Sequence, residues 1–408
     1  MTASELRASL SLASIFGLRL FGMFVILPVF ALYAQGRPGW TLTLVGIALG
    51  AYGLTQGVLQ IPFGWLSDRH GRKPMIYMGL AFFVAGSFVC AAADSPWVMI
   101  AGRTLQGAGA ISGVAIAMAA DLTRESERGK AMAIIGSTIG VVFALSFVVS
   151  PLLEHWIGVP GIFALTGVLA LVAIGVVRWI VPDAPPSSRA AEAASLSGVL
   201  REPELVRLNV GIFVLHAVLM AIFVVVPIAL VRAGLPAAQH SWVFLGAVGA
   251  GFLIALPAFL GRTARLERPM FLAGIAFIGA SLLILGVALA SLAGILAALV
   301  IFFAGFNVLE AKLPALVSRA APRGSTGSAT GVYSSVQFLG TFAGGVAGGA
   351  IAQHAGSVAV LAACFVATLA WIAVAWKMDD FVPAASAATR NQDARHFGKD
   401  DTWHRSTR

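Results

Sequence analysis

The chain has 408 residues, of which 59% are hydrophobic and 11% charged, where an average soluble domain carries roughly 25% charged residues. So large an apolar excess excludes a soluble globular fold and points to a protein whose main solvent is lipid. The formal net charge of +9 would suit a nucleic-acid binder, but its distribution along the chain, set out below, excludes that reading.

Apolar runs predict twelve helices, at roughly 10–34 (α1), 44–66 (α2), 75–93 (α3), 97–120 (α4), 131–153 (α5), 160–181 (α6), 208–231 (α7), 242–260 (α8), 270–290 (α9), 294–317 (α10), 327–350 (α11) and 357–377 (α12), each near the ~20 residues needed to cross a bilayer. None alternates polar and apolar residues as a barrel strand does. The expected fold class is an all-α membrane protein of twelve transmembrane helices in two pseudo-symmetric six-helix bundles.

In chain order, α1 carries Arg19 and then Met23-Phe-Val-Ile-Leu-Pro28. Between α2 and α3 lies Gly64-Trp-Leu-Ser-Asp68-Arg69-His-Gly71-Arg72-Lys73-Pro74, a charged, glycine-punctuated turn that must sit at the water interface. Its basic excess assigns it to the cytoplasmic side. Helix α4 holds Arg103, Gln106 and Gly107, and Asp121 and Arg124 follow near its end. Residues 182–207 change composition abruptly, beginning with the breaker cluster Pro182-Asp-Ala-Pro-Pro186. Within them Ser195 to Leu208 reads equally as a short amphipathic surface helix or as a flexible linker.

The second half repeats the first. Ile222-Phe-Val-Val-Val-Pro227 in α7 resembles Met23–Pro28 at an offset of 199, and Phe244-Leu-Gly246 resembles Leu44-Val-Gly46. Gly261 to Pro269 occupies the place of the charged turn but lacks its aspartate. Two parallel six-helix halves form a site at their interface near the midplane. The divisions expected are a first bundle over 1–181, a linker over 182–207, a second bundle over 208–378 and a disordered tail over 379–408.

Of 27 Lys and Arg, 22 fall in connections on one side and only Arg37 and Arg232 on the other; Arg19, Arg103 and Lys312 lie within helices. This is the positive-inside pattern, and it sets both termini of a multi-pass membrane protein in the cytoplasm. Cys90 and Cys364 read as small core residues, and His396 and His404 as tail residues without a metal. No cofactor is expected. The chain lacks H-E-x-x-H, G-x-S-x-G and G-x-x-x-x-G-K-[ST], so no enzyme chemistry is predicted.

Ionisable groups at membrane depth are costly and tend to be functional. At 1.5 Å per residue, Arg19, His216 and Glu310 lie very roughly 10–13 Å from the cytoplasmic ends of α1, α7 and α10, which suggests one shared polar cavity. Asn307 and Glu310 share a helix face, at i and i+3, whereas Lys312 points away and can snorkel to the surface. Glu310 is the expected proton-responsive site, with Arg19 tuning it and His216 or Asn307 contacting substrate or proton; a structural buried ion pair is the alternative. Gln56, Gln60 and Gln337 face either the pathway or neighbouring helices. The Gly-x-x-x-Gly pairs at 46/50, 109/113, 136/140 and 340/344 predict close helix packing.

The turn G-x-L-S-D-R-x-G-R-K resembles, at every position, the signature loop of the major facilitator superfamily of secondary transporters. Gly22–Pro28, Ala51-Tyr-Gly-Leu-Thr-Gln56-Gly, Arg103-Thr-Leu-Gln106-Gly107-Ala-Gly109, Asp121-Leu-Thr-Arg124 and Phe306-Asn307-Val-Leu-Glu310 resemble its YajR-type branch, grouped with drug:proton antiporters of bacterial inner membranes, which implies the bacterial inner membrane as the location. The resemblance spans roughly residues 5–380. It implies alternating access with helices 1, 7 and 10 lining the cavity. It also implies a latch in which Asp68 meets the N-terminus of α11, Arg72 bridges to Asp121, and Arg69 and Lys73 face anionic lipid; Gly64, Gly71 and Arg124 belong to the same motif. Arg103, with Gln106 and Gly107, is implied in proton transfer or a buried network. One departure is Ser150-Pro151 where the antiporter Gly-Pro stands in α5. Some members of the branch carry a soluble C-terminal domain, for which the 379–408 tail is too short. Proton-coupled export of a small amphipathic solute by a monomer is the leading expectation. An uncoupled facilitator, a symporter and a non-transporting sensor are the alternatives.

Overall fold

The computed structural model describes residues 1–183, 196–260, 267–322 and 325–378; the expected tail and part of the linker and of the 261–269 loop lie outside them. The described elements are α-helices, with 3₁₀ turns at Glu125–Glu127 and Ala237–Gln239. Among the described residues, nine continuous helical segments are long and apolar enough to cross a membrane. Two of them contain two helices each: Arg128–Trp179 bends at Gly158 (φ 66°) to give α5 and α6, and Thr326–Ala375 bends at Gly356 (φ 82°) to give α11 and α12. Only glycine adopts such φ values without strain. The two bends are separated by the internal-repeat offset to within one residue, so the two halves share their construction as well as a sequence motif.

Helix α4 is broken, into Pro96–Ala108 and Ser112–Asp121, which is why it is absent from the nine; the set is consistent with twelve crossings. Helix α1 is broken too, Ala3–Phe24 continuing as Leu27–Ala34. Pro28 has no N–H to give the Phe24 carbonyl, so the helix loses a bond there. The others are α2 Leu42–His70, α3 Arg72–Ala91, α7 Pro203–Arg232, α8 His240–Leu260, α9 Glu267–Ala288 and α10 Leu292–Ala320. Helices α1 and α7 begin earlier than the apolar runs suggested, for local reasons. Thr2 and Glu5 form a reciprocal capping box, and α7 opens with Pro203 and Glu204, both favourable in a first turn. A short helix, Leu196–Arg201, precedes α7.

The end of the bundle that carries the α2–α3 turn is called the basic end below. The two halves meet most closely away from it, along α2 and α11. A Cβ on Gly46 would strike the Gly345 carbonyl, one on Gly53 would approach the Phe338 carbonyl to 2.6 Å, and one on Gly57 would approach the Ser335 carbonyl to 2.9 Å. On its other face α11 packs Gly340 and Gly344 against the α7 backbone at Phe213 and Ala217. Small residues drive such association in lipid, because close backbone approach multiplies dispersion contacts. The seam closes with Gln353 Oε1 accepting from the Leu42 N–H at 2.9 Å. Toward the basic end it stops: a Cβ on Gly64 would meet nothing within 4 Å. The expected packing at Gly136 and Gly140 is absent, since both face open space.

A layer of aromatic rings crosses between the halves nearer the middle. Phe143 and Phe147 of α5 stack on Phe306 of α10 (5.2 Å between centroids) and Phe223 of α7 (4.8 Å). Beyond it, at the end opposite the basic one, Trp40, Val45, Val225, Ile228, Arg232 and Gln353 line a cavity of about 360 Å³.

If the glycine seam holds the halves together at this end, Gly46→Leu prises them apart. In a background lacking Cys90 and Cys364, Thr341→Cys, buried in the seam, then reacts with a membrane-impermeant thiol reagent about tenfold faster, the equivalent of ~1.4 kcal/mol. Unchanged labelling would count against the seam as the closing contact.

Candidate functional site

At the basic end, Gly71 (φ 92°) ends α2 and starts α3, which brings Arg72 over the end of α4. Arg72 Nε donates to Asp121 Oδ2 at 2.9 Å and Nη1 donates to Ser67 Oγ at 2.7 Å. Nη1 also pairs with Asp68 Oδ1 at 2.5 Å. The expected Arg72–Asp121 bridge is therefore present. The expected contact of Asp68 with the N-terminus of α11 is not: among the described residues Asp68 pairs with Arg72 in its own half, and its side chain is half exposed. The close glycine contacts of the seam have ended before this depth, where a Cβ on Gly64 would meet nothing within 4 Å.

Lys73, expected at the lipid surface, instead pairs with Asp183 at 2.6 Å after α6, and this hydrogen bond holds the Asp183 carboxyl below its ordinary range. Arg69 lies flat over Trp65, 3.8 Å from the ring centroid. Arg124 has a partner that sequence reasoning missed. Its Nε and Nη2 donate to Glu5 Oε1 and Oε2 at 2.8 and 3.2 Å, and its backbone N–H to Oε1 at 3.1 Å. The Thr2-x-x-Glu5 capping signature was the available signal. The second half carries a counterpart of Arg72–Asp121 with the charges exchanged: Arg319 at the end of α10 donates to Glu267 at the start of α9, at 2.9 Å. Lys312 lies with them, lining a small pocket with Glu267, Leu316 and Arg319.

Deeper in the second half, α7, α10 and α11 bring His216, Glu310 and Gln337 together. His216 Nδ1 faces the Ile212 carbonyl at 3.3 Å, which assigns the ring proton to Nδ1 and leaves Nε2 as an acceptor. The Gln337 amide donates to that Nε2 at 2.8 Å and to Glu310 Oε1 at 3.3 Å. Among the described residues Glu310 Oε2 has no hydrogen-bond donor, and it stands 3.8 Å from His216 Nε2. Asn307 Nδ2, Tyr333 Oη and Ser335 Oγ on the same helices are likewise buried without a partner, and the Phe306 ring lies 5.9 Å from that of His216.

Arg19 does not join this group. It is held in the first half, where Nη2 donates to Tyr52 Oη at 3.0 Å and makes a close hydrogen bond to Gln56 Oε1. Gln56 in turn donates to Gln60 Oε1 at 2.9 Å and Ser112 Oγ at 3.3 Å. The expected single cavity is two polar clusters, one per bundle. Shared depth does not imply shared azimuth, and Arg19 faces α2 rather than α10.

Arg103 forms a third group. Its Nη1 donates to Gln106 Oε1 at 2.9 Å and its Nε toward the Ala48 carbonyl at 3.4 Å, and Gln106 donates to Ser87 Oγ at 2.8 Å. The Tyr52 ring covers the guanidinium at 4.9 Å. A Cβ on Gly107 would strike Thr55 and the Tyr52 carbonyl, so that glycine lets α4 lie against α2. Among the described residues no cluster of three or more His, Cys, Asp or Glu could hold a metal.

Residues 12–345 match the family model of the Major Facilitator Superfamily. The chain is 41% identical over 386 residues to the inner membrane transport protein YajR of Escherichia coli, covering 93% of this chain and 85% of that one. It is 30% identical over 240 residues, 55% of this chain and 56% of the other, to the multidrug resistance protein MdtH of Yersinia enterocolitica. In fold it resembles a crystal structure of a bacterial homologue of the human lysosomal transporter Spinster, in an inward-facing and occupied conformation. That likeness has a TM-score of 0.73 at 14% identity, over 92% of this chain and 97% of that one. With the signature turn and paired halves, the family model matched over residues 12–345 and the 41% identity to YajR decide the family: the chain is a member of the Major Facilitator Superfamily, a multi-pass membrane transporter of small molecules.

Proposed function

We propose that this transporter exports a small amphipathic solute in exchange for protons, with Glu310 as the proton-responsive group. The observation that carries the reading is the Gln337 amide bridging His216 and Glu310 while Glu310 Oε2 is left with no donor. An acid group inside a membrane bundle is retained where function needs it. Here one oxygen is held in place by Gln337 and the other is free to take or give a proton, with the His216 ring, itself held by Gln337, 3.8 Å away. The resemblance to the multidrug resistance protein MdtH supports the direction of transport.

The basic end is proposed as cytoplasmic, with both termini on that side. The glycine seam and aromatic layer then close the outer side, and the described conformation faces inward. In this state Arg72 joins α3 to α4 within one bundle, while Asp68 waits exposed. Closing the inner side would carry Asp68 to the N-terminus of α11, where free N–H groups and the macrodipole favour an anion. Arg69, stacked on Trp65 at the surface, is positioned for anionic headgroups. Residues 1–181 and 208–378 would rock as the two bodies, Pro203–Leu208 acting as an extension of the second.

In proteoliposomes under an imposed pH difference, Glu310→Gln is expected to cut pH-driven transport of responsive probes at least tenfold and to retain counterflow of the same probes. Full coupling in the variant would refute the assignment. For the latch, a double-mutant cycle of Arg72→Gln and Asp121→Asn should yield a coupling of about 1 kcal/mol, the scale of a partly exposed ion pair, read from thermal unfolding. Asp68→Asn, by contrast, should leave that stability almost unchanged and shift thiol accessibility toward the inward-facing pattern. An Asp68→Asn variant with wild-type accessibility would count against the latch.

A further inference from the structure

We propose that the transported solute carries an anionic group and that Arg19 is the residue that meets it; this names the substrate class of the export reading above and rests on it. Arg19 is 2% exposed and has five N–H donors. Nη2 uses its two on Tyr52 and Gln56, both neutral. Nε and Nη1, which carry the other three, have no acceptor among the described residues. Among the described residues no carboxylate pairs with Arg19. Within the first bundle the acids sit at the ends: Glu5, Asp68 and Asp121 are engaged by Arg124 and Arg72, Glu125 and Glu127 lie in the turn after α4, Glu127 paired with Lys130, and Asp94 and Glu154 lie in or beside the connections at the other end.

Removing a guanidinium from water without a counter-charge is strongly unfavourable, and supplying an anion with hydrogen-bond acceptors reverses that. Arg103, the other buried guanidinium of this bundle, spreads its hydrogen bonds over two nitrogens, Nε on Ala48 and Nη1 on Gln106, with the Tyr52 ring across its face and Nη2 left over. Arg19 differs in having both of its hydrogen bonds on the single nitrogen Nη2, with the Phe83 ring 5.8 Å from the guanidinium carbon. Its neutral partners are themselves anchored: Gln56 is held by Gln60 and Ser112, so its Oε1 stays turned to Arg19 and fixes the guanidinium in one pose. That is a pre-organised site for a planar or tetrahedral oxyanion.

The apolar part of the solute has a surface to rest on. Phe24, further along α1, meets Phe143 edge-on at 5.0 Å; Phe143 stacks on Phe306, and Phe306 lies beside His216. A run of rings thus leads from α1, the helix that carries Arg19, to the Glu310 cluster. An amphipathic organic anion, with its charged group on Arg19 and its hydrocarbon body on these rings, satisfies both features at once.

The test uses the purified full chain and thermal unfolding with matched probes: indole-3-acetate, phenylbutyrate and octanoate, each beside its amide and its corresponding amine. The expected result is a rise in midpoint for at least one carboxylate, with little change for its amide or amine. Arg19→Gln should abolish that rise and Arg19→Lys should keep part of it. Gln56→Glu supplies the missing counter-charge from within, so it should raise the midpoint without ligand and remove the carboxylate response; it also serves as the deciding variant if Arg19→Gln fails to fold. The proposal is overturned if no carboxylate outperforms its amide, if amines stabilise equally, or if Gln56→Glu responds to carboxylates as the wild type does. Binding and proton coupling are read separately. A failed anion response beside normal pH-driven transport removes the substrate class alone, and the reverse removes the coupling.

Discussion

The approach of α2 to α11 with almost no side chains between them governs the distance between the two bundles. In lipid there is no solvent to drive helices together, so association depends on contact between surfaces that fit. Gly46, Gly50, Gly53 and Gly57 present bare backbone to α11, and Gly345 and Gly349 answer it. Because α11 also rests on α7 through Gly340, Gly344 and Gly348, it acts as a wedge between a first-half and a second-half helix. Small backbone-to-backbone surfaces of this kind have discrete arrangements, in contact or apart, which suits the alternation between two states proposed above.

The polar groups follow from that geometry. With the bundles joined at one end, the helix faces that turn toward the middle carry what cannot face lipid, and each bundle satisfies its polar residues mostly from within. Tyr52 illustrates this: its hydroxyl accepts from Arg19 while its ring lies under Arg103. Gln337 does the same work in the other half, one amide serving both His216 and Glu310. Among the described residues, the donors and acceptors left unpaired include those on Arg19 and Arg103 in one bundle and on Asn307 and Glu310 in the other.

Symmetry between the halves goes further than the repeated Pro28 and Pro227 segments imply. The bends at Gly158 and Gly356 correspond, and so do the end-to-end ion pairs Arg72–Asp121 and Glu267–Arg319. The charges are exchanged in the second pair, which is why a search for a second aspartate in the 261–269 loop does not reveal it. Geometry conserves the bridge between helix ends, and either polarity makes it.

Periodicity, the length of apolar runs and the skew of Lys and Arg were enough to determine the class of fold, the helix order and the signature turn. Those properties are set by each segment's own exchange between water and lipid, so they are written locally. The breaks in α1 and α4, the pairing of Arg124 with Glu5 and of Lys73 with Asp183, and the division of Arg19, His216 and Glu310 into separate clusters were decided by tertiary structure alone. Depth along a helix can be counted from residue numbers, but the direction in which a side chain points depends on how neighbouring helices are rotated and how closely they pack, and no single segment carries that information.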